Sequence, residues 1–258
     1  MGHRNMLDFL IIGAQKCGTT SAAHNLDRHP NIRVFTGTTE YGQREIEFFN
    51  QHWDRGAAWY FSHFPFTSHV QGEKTAELFH RLICHSRIYS TVPDARLIVL
   101  LRCPVRRAFS QWKMATLSKR DETRPFETAI EQELRDLNDS EYRNRFYSLA
   151  DSAFTCWREG YLLKGFYYEQ LTHLYRLFPK PQVYVGIAER IIANKVVEYN
   201  KMFDFLGLPP FDGPFDEHFV GRPGPVISVE ARELLSVLYR PVNESLFTLL
   251  GQDITEWC

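Results

Sequence analysis

The segment between Phe9 and Ser21 constrains the fold more than any other part of the sequence. It opens with the apolar run Phe-Leu-Ile-Ile-Gly, which is typical of a strand buried on both faces of a sheet. A glycine-containing turn follows, and then a helix. We expect the helix to begin near Thr19 or Thr20 and to end before Pro30, because the residue preceding a proline avoids the α region. Backbone N–H groups and the helix dipole meet where such a turn enters a helix, so this place favours an anion.

Further periodic segments extend the same pattern along the chain. Apolar runs predict strands at 95–101 and 182–187. Apolar and aromatic residues at helical spacing predict helices at 105–117, 125–137 and 161–177. Because strands alternate with helices, we predict an α/β fold with a central, mainly parallel sheet flanked by helices and a P-loop-like phosphate-binding turn after the first strand.

Composition limits the class of protein. With 258 residues, of which 44% are hydrophobic, the chain can bury a full core, and we expect one domain spanning 1–258. Lys and Arg number 30 against 31 Asp and Glu, so no global field gathers nucleic acid or an anionic membrane. Five scattered cysteines without a CxxC pair, and histidines without an HExxH pattern, argue against a disulfide framework and a metal site. No apolar run reaches the roughly 20 residues of a membrane helix, and we expect a cytoplasmic protein.

The turn differs from the motif of Mg²⁺-dependent NTPases. In GxxxxGK[ST] the lysine follows the second glycine, whereas Lys16 precedes Gly18. A nucleotide-dependent kinase of a small molecule therefore stays only as an alternative. The alternative in which the segment binds no ligand is a tight turn with a solvated lysine and a threonine that caps the helix.

A second anion-binding pattern follows the predicted strand at 95–101. Arg102 stands at the strand end, and Ser110 follows about two turns into the next helix. A guanidinium fork with a hydroxyl suits a terminal phosphate. Arg106 and Arg107 lie between them, and the alternative for both is a solvated position at the helix start.

Together these motifs resemble the PAPS-dependent sulfotransferase family, where PAPS is 3′-phosphoadenosine-5′-phosphosulfate. The segment 15–21 resembles the family loop that holds the 5′-phosphosulfate, and 102–110 resembles the segment that holds the 3′-phosphate. The resemblance implies PAPS as cofactor, adenosine 3′,5′-bisphosphate as its product, and a sulfuryl group moved to an acceptor. The cofactor-binding residues that it implies are Gln15, Lys16, Cys17, Gly18, Thr19, Thr20, Ser21, Arg102, Ser110, Gly221 and Arg222.

Within that family the chain is most similar to the heparan sulfate sulfotransferase branch and its bacterial relatives. The similarity lies in an acidic segment before a Phe-Phe pair at 45–50, in 56–60 and 72–77, and in Gly221-Arg222 followed by an apolar helix at 234–250. The paired cysteines of the animal enzymes have no counterpart near Gly221. We therefore expect a small-molecule or soluble carbohydrate acceptor, such as a natural product, with no nucleic-acid or membrane partner.

The same resemblance assigns catalytic roles. Glu45 would be the general base, with Glu47 as its rival, while Lys16 and Lys74 would flank the sulfate. For Lys74 the alternative is a surface salt bridge to Glu73 or Glu77. Glu47, His52 and Trp59 would contact the acceptor, and no metal is required. The alternative outside the enzymes is a PAPS-binding module that has lost catalysis.

Overall fold

The architecture is a five-stranded parallel sheet covered by helices, seen in a computed structural model that describes residues 7–35, 45–119, 121–148, 159–216 and 224–257. The strands lie in the order β2-β3-β1-β4-β5, and every neighbouring pair is parallel. Their bounds are β1 Phe9–Gly13, β2 Ile32–Val34, β3 Val70–Lys74, β4 Arg96–Leu101 and β5 Val183–Ile187. The predicted fold class is confirmed.

The central strand is the apolar run that opens the chain. All five residues of β1 are buried, which is the pattern expected for a strand covered on both faces and flanked by β3 and β4. Gly72 of β3 lies against the ring of Phe9, so closely that a Cβ at this glycine would overlap the aromatic carbons. Strand β3 therefore needs glycine at this position for steric reasons.

Ten α-helices connect and cover the strands in the part of the chain that the structure describes. They are α1 Thr19–Leu26, α2 Gly56–Phe61, α3 Leu82–Thr91, α4 Pro104–Met114, α5 Phe126–Asp136, α6 Ser140–Tyr147, α7 Tyr167–Tyr175, α8 Ala188–Ala193, α9 Lys195–Phe205 and α10 Val229–Leu250. The last of these starts before the expected 234, because Ser228 caps it by accepting a hydrogen bond from the N–H of Ala231.

The predicted helix at 161–177 is divided, which corrects the sequence prediction. A short 3₁₀ turn, Leu163–Gly165, precedes α7. The hydroxyl of Tyr239 donates to the carbonyl of Leu162 at 2.9 Å, and its ring leaves no space for a side chain at residue 165. This contact with α10 holds the segment in a shape that an uninterrupted helix would not allow.

Two strands were not predicted, β2 and β3. Strand β2 is only three residues long, and β3 has the sequence Val-Gln-Gly-Glu-Lys, which no apolar alternation marks as a strand. Its polar residues are nevertheless buried: Glu73 is 1% exposed and accepts a hydrogen bond from the hydroxyl of Tyr60 at 2.8 Å. The local sequence pattern did not predict β3, because its buried polar groups are satisfied by residues that are distant in sequence.

The topology determines where the site forms. The carboxyl ends of parallel strands meet at one edge of a sheet, and β1 lies between β3 and β4. The turn after β1, Lys74 at the end of β3 and Arg102 after β4 therefore come together. None of the described helices is long and apolar enough to cross a membrane.

Candidate active site

The turn after β1 leads directly into α1. Gly18 adopts a left-handed backbone (φ 88°) that favours glycine, and it precedes α1 without a side-chain cap. The first N–H groups of a helix have no intrahelical acceptor, because the first helical bond here runs from the N–H of Ala22 to the carbonyl of Gly18. The helix therefore offers donors and the positive end of its dipole to an anion.

Two cations lie beside this turn. Arg102 donates to the carbonyl of Lys16 at 3.3 Å, and the Lys16 ammonium lies 3.4 Å from the sulfur of Met114. Burial, and then the charge of Arg102, lowers the pKa of Lys16. Neither cation forms an ion pair with a carboxylate among the residues that the structure describes. Anionic groups bound beside these two cations would relieve their repulsion.

A cleft of about 710 Å³ opens above the turn. Most of the predicted cofactor residues line it, together with one of the predicted catalytic carboxylates: Gln15, Lys16, Cys17, Gly18, Thr19, Thr20, Ser21, Arg102, Ser110 and Glu45. Gly221 and Arg222 lie outside the described residues. The sequence prediction assigned no role in the site to several other lining residues, of which Glu77, Phe109 and Lys113 lie in segments that it named and Lys195, Tyr199 and Arg232 lie outside them.

Glu45 and Lys74 form the second part of the site. Their carboxylate and ammonium groups are in direct contact, with side chains 21% and 12% exposed, and the Lys74 ammonium lies 3.5 Å from the hydroxyl of Thr20. The salt-bridge partner of Lys74 is therefore Glu45, not Glu73 or Glu77. Lys74 joins a carboxylate at the cleft to the helix that begins at the phosphate turn.

The predicted acceptor residues do not line the cleft, although Glu47 interacts electrostatically with Glu45 and Lys74. His52 and Trp59 meet edge to face, with ring centroids 5.5 Å apart. Glu47 has a left-handed backbone (φ 53°), and burial, followed by the charge of Glu45, raises its pKa to about 7. Their role toward an acceptor stays a prediction.

The side chains behind the turn were the hardest to predict. Cys17 is buried, and burial raises the pKa of its thiol to about 11, so it is not a nucleophile at neutral pH. Arg106 is exposed at the cleft, but Arg107 is fully buried, which corrects the solvated alternative for the second arginine. Its guanidinium donates to the amide oxygen of Gln111 at 2.8 Å and to the carbonyl of Tyr161.

Similarity to known proteins agrees with this arrangement. Residues 7–219 match the family model described as sulfotransferase domain. The chain is 29% identical over 280 residues to heparan sulfate glucosamine 3-O-sulfotransferase 3B1 of Homo sapiens, covering 98% of this chain and 65% of the relative. It is 24% identical to the membrane-associated sulfotransferase kil1 of Dictyostelium discoideum, covering 95% of this chain and 65% of that protein.

A solved structure gives the same fold. The crystal structure of a sulfotransferase from Alicyclobacillus acidocaldarius superposes with a TM-score of 0.78 at 24% identity, covering 99% of both chains. The present chain thus spans about 65% of the length of those two curated relatives and nearly all of this bacterial one. With the family model matched over most of its length, the chain belongs to the sulfotransferase family of enzymes.

Proposed function

We propose that this chain, as one catalytic domain, transfers the sulfuryl group of PAPS to a hydroxyl or amine of a small-molecule or sugar acceptor. The observation that carries the proposal is the contact of Glu45 with Lys74 at the cleft that also holds the anion-binding turn. A general base, a cation and a phosphate site within one cleft are the parts that sulfuryl transfer needs.

The residues present fit a ligand with phosphate groups at both ends. The uncapped start of α1 and the ammonium of Lys16 suit the 5′ end, while Arg102 and Ser110 suit the 3′-phosphate. When bound, PAPS supplies an activated sulfuryl group whose bond to a phosphate oxygen breaks as the bond to the acceptor forms. Lys16 and Lys74 would stabilise the negative charge that develops around the sulfur and on the departing phosphate.

Glu45 is the better candidate for the general base. Its carboxylate lines the cleft and contacts Lys74, whereas Glu47 does not line the cleft. Glu45 would accept the proton of the acceptor hydroxyl or amine as the new bond to sulfur forms. Lys74, between Glu45 and the hydroxyl of Thr20, would hold that carboxylate beside the phosphate turn.

The names of the curated relatives indicate which acceptors to try first. One of them is a heparan sulfate glucosamine 3-O-sulfotransferase, so a glucosamine-containing sugar with free hydroxyl groups is the first candidate. Phenols and small alcohols form the second group. Lys16 precedes Gly18, which disfavours a kinase, and the presence of Glu45 with two lysines disfavours an inactive binding module.

The test is transfer of radiolabelled sulfate from PAPS to this acceptor panel. Glu45→Gln should abolish turnover with any accepted substrate while adenosine 3′,5′-bisphosphate still binds. Glu47→Gln, the same chemical change two residues away, tests the rival base: turnover should persist, and any change should be confined to the KM for the acceptor that Glu47 is predicted to contact. Full activity in Glu45→Gln would refute the assignment of the base. Phosphate transfer from ATP by the wild type, without sulfate transfer, would replace the proposal with a kinase.

A further inference from the structure

A buried lysine lies behind the phosphate turn. Lys164 sits in the 3₁₀ turn before α7, and its side chain is only 4% exposed. Its ammonium donates to the amide oxygen of Gln15 at 3.0 Å and lies 3.7 Å from the carboxylate of Glu77. A buried ammonium is costly unless it is paired and hydrogen-bonded, and Lys164 has both a hydrogen-bond acceptor and a carboxylate beside it.

These contacts orient the amide of Gln15. Lysine can only donate hydrogen bonds, and an ionised carboxylate can only accept them. With Lys164 on one side and Glu77 on the other, the amide oxygen must face Lys164 and the NH₂ group must face Glu77, where it donates. Gln15 is 6% exposed and lines the cleft, so these two contacts hold the side chain of a residue of the phosphate turn itself.

Glu77 is surrounded by basic side chains. Besides Lys164, the ring of His80 lies 3.4 Å from it and the guanidinium of Arg81 lies 4.0 Å from it. Burial, and then the charge of Lys164, lowers the pKa of His80 well below its ordinary value, so this histidine is neutral. Lys164 and Arg81 both lie beside Glu77, and the carboxylates of Glu133 and Glu47 also act on these two cations.

The backbone that carries Lys164 is held from several sides. The N–H of Leu163 donates to the carboxylate of Glu133 at 3.1 Å, and the carbonyl of Leu163 accepts from Gln170 at 2.9 Å. The carbonyl of the preceding residue, Leu162, accepts from Tyr239 at 2.9 Å. These hydrogen bonds fix the backbone beside Lys164, and this fixed backbone positions its ammonium next to Gln15.

From this geometry we propose that Lys164 is a positioning residue for the phosphate turn, which it orients through Gln15 and Glu77. The proposal depends on the proposed function, because it concerns binding of the nucleotide bisphosphate. Lys164 contacts residues of the cleft but does not line it, so its effect would pass through the orientation of Gln15.

The experiment measures binding of adenosine 3′,5′-bisphosphate by titration calorimetry. Lys164→Met should weaken binding by roughly tenfold or more, since it removes a charge-assisted hydrogen bond, and Lys164→Arg should restore part of the loss. Lys180→Met is the matched control, because Lys180 is exposed and donates to the carbonyl of Leu249, and its binding should equal that of the wild type. The KM for the acceptor should not change in any of these variants.

A double-mutant cycle separates positioning from general stability. If Lys164 acts through Gln15, Lys164→Met should change binding by less than about twofold in a Gln15→Ala background. An equal loss in both backgrounds would refute the proposal. If Lys164→Met does not fold, Lys164→Gln replaces it, because glutamine is uncharged and its side chain is one bond shorter than that of lysine. Wild-type binding of the bisphosphate by Lys164→Gln would also refute the proposal. Failure of the wild type to bind the bisphosphate would instead overturn the proposed function.

Discussion

The buried carboxyl of Glu73 leads to a quantitative prediction about pH and stability. Glu73 lies in β3, 1% exposed, and accepts a hydrogen bond from Tyr60. Burial outweighs that hydrogen bond and raises the pKa of Glu73 from its ordinary 4.5 to about 7. At pH values between these two pKa values, Glu73 is therefore protonated in the folded chain and ionised in the unfolded chain.

The sign and size follow from proton linkage. Between pH 4.5 and 7 the folded state binds more protons, so the free energy of unfolding falls as pH rises through this window. At about 1.4 kcal/mol for each pH unit, the loss due to Glu73 is about 3 kcal/mol. Glu73→Gln keeps an oxygen that accepts from Tyr60 and removes the titrating group. The stability of Glu73→Gln minus that of the wild type should therefore increase by about 3 kcal/mol between pH 4.5 and pH values above 7.

Urea denaturation of both proteins at a series of pH values measures this difference. Subtracting the wild-type curve cancels other titrating groups, including Glu47, whose pKa is also raised to about 7. Glu244→Gln is the control, since Glu244 is exposed on α10, and its difference from the wild type should be flat. A difference between Glu73→Gln and wild type that does not grow with pH would show that burial of the ionised carboxylate has no such cost.

Three further predictions concern the cleft and the sheet. Lys16→Ala should abolish turnover and weaken bisphosphate binding by the roughly 1.5 to 3 kcal/mol of a charge-assisted hydrogen bond; unchanged activity would refute the assignment of the turn. Arg102→Ala should remove the preference for adenosine 3′,5′-bisphosphate over 5′-AMP in calorimetry, and a retained preference would place the 3′-phosphate elsewhere. Gly72→Ala should lower the free energy of unfolding by about 1 to 3 kcal/mol, because its Cβ would overlap the ring of Phe9. Unchanged stability would show that β1 and β3 can move apart at this point without cost.

The sequence indicated the fold where burial alone controls the pattern. Strands β1, β4 and β5 are apolar runs, and they were predicted within one residue of their bounds. Strand β3 was missed because Gln71, Gly72 and Glu73 make it look polar, although all three are buried. Glycine is required there by the neighbouring Phe9, a partner that no local window contains.

In the candidate site, too, the features that follow from the local sequence were predicted and those that depend on tertiary partners were not. The sequence indicated that the turn at 15–21 and Arg102 lie close together, because each follows a strand and strand ends of parallel sheets meet at one edge. The hydrogen bonds of Gln15 with Glu77 and Lys164 were not predicted, because 62 and 149 residues separate the partners in sequence. Helical spacing alone did not show that Arg107 points inward, toward the carbonyl of Tyr161, while its neighbour Arg106 faces the cleft.

The most direct test of the account is thermal stabilisation of the purified protein by adenosine 3′,5′-bisphosphate, with ATP and Mg²⁺ measured in parallel. A ligand that binds only the folded state adds about 2.7 kcal/mol at a concentration one hundred times its Kd. For a chain of this size that corresponds to a rise in Tm of roughly 5 to 10 °C. The account predicts such a rise with the bisphosphate and little change with ATP. A rise with ATP alone would contradict it.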